Sequence, residues 1–174
     1  RYHCQGGLTD KSTLYEEQVL PRLRPGMRVL DFGSGQSDYV RVLRGRGVRM
    51  WSFEPYLRTG HTTNLDIPGI HRDVDALCRT LRDDGLFDMV VCDSVLNSVN
   101  SLEAESDVLT CLVALCREGG MVTYCGRSRE GHEARESSSS SSGKNIASRI
   151  RRVDFFDEDG FSATYHHGTF FFQK

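Results

Sequence analysis

The sequence predicts an α/β fold, with a single Rossmann-like, doubly wound sheet that is mostly parallel. Short apolar runs alternate with amphipathic segments along most of the 174 residues, as parallel strands alternate with the helices that join them. The first apolar run ends in Asp31 and a Gly-x-Gly turn, and the second ends in Glu54, which is typical of a β-α-β nucleotide site. A chain of this length can bury one core, so we predict a single domain over residues 1–174.

An entry helix precedes the first β-α-β unit. Apolar residues recur at helical spacing over residues 13–23, within an N-terminal segment of residues 1–25, and predict that helix. Residues 29–32 form a short apolar run, which predicts the first strand. Asp38 is of a type that caps helices, so we expect it to cap the next helix, which glycines end at position 45 or 47.

The middle of the chain is predicted to hold a second and a third strand. The apolar run over residues 48–53 gives the second strand, and residues 58–69 are polar and turn-rich, which predicts a loop. Ile70 and His71 are assigned to a short third strand, and the periodicity over residues 74–81 predicts a helix.

Two further strands and a long helix follow. Residues 87–93 are apolar without interruption in their middle, which is typical of a strand buried on both faces. Residues 102–116 show helical spacing, and Gly119-Gly120 is expected to end that helix. Residues 121–125 then give the fifth strand.

The last part of the chain departs from the alternating pattern. Residues 127–144 lack large apolar side chains and include six consecutive serines at 137–142, which predicts a flexible surface loop. Residues 161–166 and 169–173 flank a turn at His167-Gly168, which predicts a C-terminal antiparallel hairpin. We expect this hairpin to finish the parallel sheet.

Composition excludes several function classes. The formal net charge is −2, so no global attraction to nucleic acid or membrane is expected. No apolar run approaches the length of a membrane span and no signal peptide is visible, which predicts a cytoplasmic protein without a membrane partner. The six cysteines form no Cys-x-x-Cys pair, so reduced thiols and no metal site are expected.

The charge of the first turn predicts the kind of ligand. A dinucleotide fingerprint needs a third glycine where this chain has Asp38, because a pyrophosphate sits on the amides that open the helix. A carboxylate there repels a pyrophosphate, and Asp31 adds a second negative charge. The pocket therefore suits a ribose-containing, phosphate-free cation. S-adenosylmethionine fits this description, whereas NAD, and with it a nicotinamide dehydrogenase, does not.

With the motif, the second acid and the terminal hairpin, the chain resembles class I S-adenosylmethionine-dependent methyltransferases over nearly its whole length. The family's first motif is Asp/Glu-x-Gly-x-Gly-x-Gly, and Ser37 replaces its last glycine here. The resemblance implies that Asp31 holds the ammonium group, that the glycine turn approaches the methionine part, and that Glu54 accepts from the ribose. The cofactor-binding residues implied are Asp31, Phe32, Gly33, Ser34, Gly35, Glu54, Pro55, Asp73, Val74 and Asp93, with Asp73 and Val74 at the adenine.

A narrower resemblance concerns methyltransferases associated with DNA phosphorothioation and with phage genomes. The segments Leu-Asp-Phe-Gly-Ser-Gly, Glu-Pro-Tyr and Val-Leu-Asn are similar to theirs, and Lys11-Ser12 matches an element before their entry helix. The Asn/Asp-Pro-Pro-Tyr motif of amino-methylating DNA enzymes is absent from the chain. The resemblance favours a DNA-related acceptor of another kind.

The function that follows is transfer of a methyl group from S-adenosylmethionine to an unidentified acceptor, a small molecule or a nucleic acid. Asp93 and Asn97 are the candidate catalytic residues, within or beside the loop 94–100 that is expected to meet the acceptor. Each has a structural alternative, since Asp93 at a strand end and Asn97 in a turn are also residues that cap backbone. A second hypothesis is a cofactor-binding subunit that does not methylate by itself.

Overall fold

A four-stranded parallel sheet forms the centre of the fold. The computed structural model describes residues 11–35, 37–60, 62–97, 102–125, 162–166 and 169–173. The strand order is β2-β1-β3-β4, and each neighbouring pair is parallel. The strands are β1 (Arg28–Phe32), β2 (Arg49–Phe53), β3 (Phe87–Asp93) and β4 (Cys116–Cys125).

Helical segments connect these strands. The entry helix begins at Thr13, continues as a π-helical turn over Tyr15–Val19 and ends in a 3-10 turn over Leu20–Arg22. The longer helices are α1 (Asp38–Gly45), α2 (Ile67–Asp84) and α3 (Leu102–Leu115), and a 3-10 turn over Val95–Asn97 follows β3. In the described part of the chain, no helix is long and apolar enough to cross a membrane.

Two hydrophobic clusters form the core, one on each face of the sheet. Successive residues of a strand point to opposite faces, so Val29 and Leu30 of β1 belong to different clusters. The entry helix and α1 pack on the face of Val29, through Val19 and Tyr39 among others. The face of Leu30 is covered mainly by α3, through residues such as Leu112. The doubly wound arrangement around a parallel sheet agrees with the sequence-based prediction.

The predicted third strand at Ile70-His71 is wrong, as is the end of the predicted loop. α2 is one continuous helix from Ile67 to Asp84. Its start is fixed by the carboxylate of Asp66, which accepts from the backbone amide of Gly69 at 3.0 Å, and by a proline in the first turn. The Asp66 cap and the proline precede Ile70-His71 and start a helix that includes both residues, so this short pair does not form a strand.

The boundary between α3 and β4 also differs from the prediction. α3 ends at Leu115 and β4 starts at Cys116, so Gly119-Gly120 lies inside the strand and does not end the helix. The register with β3 shifts there, from Phe87↔Cys116 to Met89↔Met121. The two glycines absorb that irregularity: Gly119 has φ +68°, and a Cβ on Gly120 would crowd the sulfur of Cys116.

The predicted cap of α1 is wrong as well. Ser37, with φ +57°, occupies the N-cap position, and Asp38 is the first helical residue. The carboxylate of Asp38 accepts from the guanidinium of Arg41 at 2.6 Å, on the same helix. The negative charge of Asp38, which was expected to repel a pyrophosphate, is therefore paired with a cation.

The prediction of a main sheet finished by an antiparallel hairpin is not supported, because all four strands of that sheet are parallel. β5 (Ser162–His166) and β6 (Thr169–Gln173) pair antiparallel with each other in a separate two-stranded sheet. The predicted loop at residues 127–144, the turn His167-Gly168 and residues 98–100 of the acceptor loop lie outside the described residues.

Candidate functional site

The carboxyl ends of β1, β2 and β3 bring three of the predicted acids to one edge of the sheet. Asp31 of β1 is in register with Ser52 of β2 and Val91 of β3. Glu54 follows β2 directly, and Asp93 ends β3. Since parallel strands end at the same edge, three acids from three neighbouring strands lie together at the carboxyl edge of the sheet. Open α/β sheets bind their ligands in a crevice at this edge, and we call this place the crevice.

The turn after β1 is bonded to the end of β2. The backbone amides of Gly33 and Ser34 both donate to the carbonyl oxygen of Phe53, at 2.7 and 3.3 Å. The amide of Ser37 donates to the carbonyl of Ser34 at 3.0 Å, and the two serine hydroxyls lie 2.9 Å apart. The glycine turn is thus held against the second strand by its own backbone.

Gly33 is required by packing as well as by backbone conformation. Its φ is +70°, in the left-handed region that favours glycine. A Cβ built on Gly33 would overlap Cγ2 of Val95, in the 3-10 turn after β3. The position that the resemblance assigns to cofactor approach is therefore also the contact between the turns that follow β1 and β3.

Glu54 joins the two sides of the crevice. Its Oε2 accepts from the backbone amide of Gly35 at 2.6 Å, and its Oε1 accepts from the amide of Tyr56 at 2.8 Å. Pro55 lies between these anchors, in the turn that Glu54 begins. A carboxylate oxygen has two acceptor positions, so each oxygen of Glu54 can accept one further hydrogen bond.

The side chains of the first motif differ in what they can offer a ligand. Asp31 is only 2% exposed, and Ser34 is similarly buried. Phe32 packs its ring against Phe53, with the centroids 5.4 Å apart, and belongs to the hydrophobic core. Any contact of Phe32 with a cofactor therefore has to come from its backbone.

Asp93 is held by three donors from three segments. Its Oδ2 accepts from the hydroxyl of Ser12, at the start of the entry helix. Its Oδ1 accepts from the hydroxyl of Ser94 at 2.8 Å and from the thiol of Cys125, which ends β4, at 3.1 Å. With 6% of its surface exposed, Asp93 connects the entry helix to the carboxyl edge of the sheet.

The sequence predicted no structural role for Ser12, although Lys11-Ser12 matches an element before the entry helix of the methyltransferases that the chain resembles. Ser12 caps the entry helix, since its hydroxyl accepts from the amide of Tyr15 at 3.3 Å. Its own amide donates to the hydroxyl of Tyr39 at 2.9 Å, and the rings of Tyr15 and Tyr39 stack at 3.9 Å. A serine directly before a helical pattern is the signal that could have predicted this capping role.

The remaining predicted residues lie elsewhere. Asp73 and Val74 are in the second turn of α2, and Val74 is 40% exposed. The predicted strand at Ile70-His71, whose end was expected to place Asp73 and Val74 at the adenine, is part of α2 instead. The adenine-binding role of these two residues therefore rests on the resemblance alone. Asn97 belongs to the 3-10 turn after β3. Among the described residues, no group of three or more His, Cys, Asp or Glu could hold a metal ion.

Comparison with known proteins identifies one family. A family model described as "Methyltransferase domain" matches residues 12–163. No curated protein matches the chain significantly.

Solved structures that the chain is similar to include the "DhpI-SAM-HEP complex", with a TM-score of 0.48 and 14% sequence identity over 91% of this chain and 86% of that one. A second is YjhP from E. coli, with a TM-score of 0.47 and 16% identity, covering 83% of this chain and 62% of that one. A third is a cyclopropane-fatty-acyl-phospholipid synthase-like protein from Lactobacillus casei, with a TM-score of 0.46 and 19% identity, covering 81% and 63%. The chain spans less than two thirds of the second and third structures.

Proposed function

The chain belongs to the methyltransferase-domain family, which matches it over residues 12–163, and on that premise we propose that it transfers the methyl group of S-adenosylmethionine to an acceptor. The protein is an enzyme, and S-adenosylmethionine is its cofactor. The observation that carries the proposal is Glu54, which is bonded to Gly35 on one side of the crevice and to Tyr56 on the other.

The geometry of Glu54 supports a ribose site. Two backbone amides fix both carboxylate oxygens, so the side chain is oriented before any ligand arrives. Each oxygen keeps one acceptor position, and a ribose offers two adjacent hydroxyl donors. Glu54 binds the ribose, with Pro55 shaping the turn beside it.

The charges of the crevice support a cationic ligand. Asp31 lies next to the last residue of β1, in register with Val91 on β3, which Asp93 ends, and both carboxylates are buried. An ammonium or sulfonium group close to such carboxylates is favoured, whereas a diphosphate is repelled. Asp31 and the backbone of Phe32, Gly33, Ser34 and Gly35 hold the methionine part.

Methyl transfer is an in-line displacement at a carbon whose leaving group is already activated by the sulfonium charge. The protein therefore contributes mainly alignment, and a base only where the acceptor must lose a proton. Asp93 acts as a positioning residue through Ser12, Ser94 and Cys125. Asn97, in the turn after Asp93, contacts the acceptor.

The acceptor proposed is DNA-related, on the narrower resemblance of the Glu-Pro-Tyr and Val-Leu-Asn segments; a small molecule is the alternative. The cytoplasm is the proposed location.

A second candidate function is a cofactor-binding subunit without methylation activity of its own. The observation that favours it is Ser37, which adopts φ +57° where the family has its third glycine. That conformation is strained for a serine, and the strain belongs to the turn on which the methionine part would lie.

The two candidates are separated by titration followed by transfer assays. We expect calorimetry to show binding of S-adenosylmethionine and S-adenosylhomocysteine but no binding of NAD. Methyl-labelled cofactor is then offered with DNA, RNA and small-molecule fractions, and label in any of these supports the enzyme. Binding without transfer to any fraction favours the subunit. No binding, or binding of NAD alone, overturns both.

A further inference from the structure

Arginines collect at the amino ends of the first two strands, the edge opposite the candidate site. Arg24 lies in the loop before β1, Arg44 is in the last turn of α1, Arg46 follows α1, and Arg49 begins β2. We call these four residues the amino-edge patch. Their placement does not depend on the function proposed above.

The register of the sheet brings the patch together. Arg28, at the start of β1, is paired with Arg49 at the start of β2, so the loops before the two strands are neighbours. The Nε of Arg44 donates to the carbonyl oxygen of Met50 at 2.5 Å, which ties the end of α1 to the same edge. All four side chains therefore belong to one end of the molecule.

The positive charge of this region is local. Residues 22–49 contain seven arginines and two acids, Asp31 and Asp38, while the whole chain has a formal net charge of −2. Asp31 is buried at the other end of β1, and Asp38 is paired with Arg41. Neither of these two acids neutralises the patch. Asp84, at the end of α2, forms an exposed ion pair with Arg49 at 3.9 Å and offsets part of the charge of that one arginine.

The patch arginines have donors to spare. Arg24 and Arg46 are exposed, and the structure gives their guanidinium groups no hydrogen bond or ion pair with the described residues. Arg49 has 52% of its side chain exposed and lies 3.9 Å from Asp84, which is too far for a hydrogen bond. Arg44 uses Nε and keeps its two terminal nitrogens.

We propose that the amino-edge patch binds the phosphate backbone of a nucleic acid. A guanidinium group binds phosphate oxygens bidentately and is dehydrated more easily than an ammonium group, so closely spaced arginines suit a repeating phosphodiester. Contacts of this kind read charge and not sequence, so the binding is independent of base sequence.

A lipid surface fits the patch less well. Helices that bind membranes carry large apolar side chains at the bilayer boundary. The apolar side of α1 is instead buried in the core through Tyr39, Val40 and Leu43. Of the described large apolar side chains that are exposed, Leu86 precedes β3 near this edge, whereas Tyr56, Leu65, Ile67 and Val74 belong to other segments. A single leucine is not the apolar face that a bilayer boundary requires.

The patch anchors nucleic acid away from the crevice. β1 has five residues, and a strand of that length separates its two ends by roughly 15 Å. Phosphates on the patch therefore leave the crevice at the carboxyl edge open. Binding here is a separate property from methyl transfer and is measured without cofactor.

The test uses the full chain and fluorescence anisotropy of labelled 20-nucleotide DNA and RNA, single- and double-stranded. For duplex DNA, three to four phosphate contacts predict that raising the salt from 50 to 200 mM weakens binding by roughly 40- to 150-fold, with a smaller loss for single strands. Exchanging Arg24 and Arg46 for glutamine together should weaken binding at least 10-fold at 50 mM salt. It should also make the slope of log affinity against log salt shallower by about 2.

The matched control exchanges Arg72 and Arg79 of α2 for glutamine, which removes the same charge from exposed positions outside the patch. Circular dichroism checks that both variants fold. The control should bind as the unmodified chain does. Equal losses of oligonucleotide affinity in the two variants would mean that binding depends only on net charge, which would overturn the proposal. So would the absence of binding at 50 mM salt, or binding to anionic phosphatidylserine vesicles but to no oligonucleotide.

Discussion

The backbone amide of Gly35 donates to Oε2 of Glu54 across 2.6 Å, which links the turn after β1 to the acid that follows β2. Oε1 of the same side chain accepts from the amide of Tyr56 at 2.8 Å. The acid that is proposed to bind the ribose therefore also stabilises the crevice around it.

Glu54→Ala should weaken the affinity for S-adenosylmethionine by about 1.5–3 kcal/mol, because one or two hydroxyl acceptors are lost and the turn is released. Glu54→Gln keeps one carbonyl oxygen and should lose less. Calorimetric titration measures both, with the exposed Glu17→Ala as the control. An affinity that does not change in Glu54→Ala would place the ribose elsewhere.

Variants at Gly33 and Val95 can separate the packing role of Gly33 from its proposed role in letting the cofactor approach the backbone. Gly33→Ala should destabilise the fold by about 2–4 kcal/mol, since it adds both a strained φ and an overlap with Val95. Combining it with Val95→Ala removes the overlap and should recover part of that loss in denaturant unfolding. The affinity for S-adenosylmethionine should stay low in the double variant, because the methyl group added at position 33 still lies at the crevice. Affinity restored together with stability would mean that Gly33 serves packing alone.

The sequence predicted the strands that carry the site more accurately than the helices between them. β3 was predicted with its observed bounds, and β1 within one residue, because an apolar run of this length is too short for a helix and favours a strand buried on both faces. The Ile70-His71 strand was wrong because two residues carry no periodicity, while the cap at Asp66 lay outside the apolar pattern. The acids at the strand ends followed from local sequence. The bond between Ser12 and Asp93 did not, because 81 residues separate the two partners.

Ser12→Ala should lower the free energy of unfolding by about 1–3 kcal/mol. The substitution removes both the cap of the entry helix and a donor to the buried carboxylate of Asp93. Thr13→Ala, at an exposed neighbouring position, is the matched control, and Ser12→Thr keeps the hydroxyl and should retain most of the stability. Urea unfolding gives the three values. Equal stability of Ser12→Ala and Thr13→Ala would contradict the bond to Asp93.

The lowered pKa of Asp88 predicts how the free energy of unfolding changes at low pH. Burial alone would raise the pKa of Asp88, but the hydrogen bonds from the backbone amide of Arg28 and the side chain of Arg117, with the charges of both arginines, hold that pKa below its ordinary value of 3.8. A carboxylate with a lowered pKa in the folded state stabilises the protein above its unfolded pKa. That contribution is lost as the pH falls through the folded value.

Asp88→Asn should therefore cost about 1 kcal/mol near neutral pH, because the charge-assisted bond to Arg117 is lost. The difference from the unmodified chain should stay constant down to about pH 5 and should shrink below about pH 4 as Asp88 becomes protonated. Unfolding in urea between pH 3 and 7 measures this difference. Asp84→Asn is the control, since its carboxylate lies 3.9 Å from Arg49 at the surface and should contribute little at any pH. A deficit of Asp88→Asn that persists unchanged at pH 3 would mean that the loss comes from packing around β3 and not from the charge of Asp88.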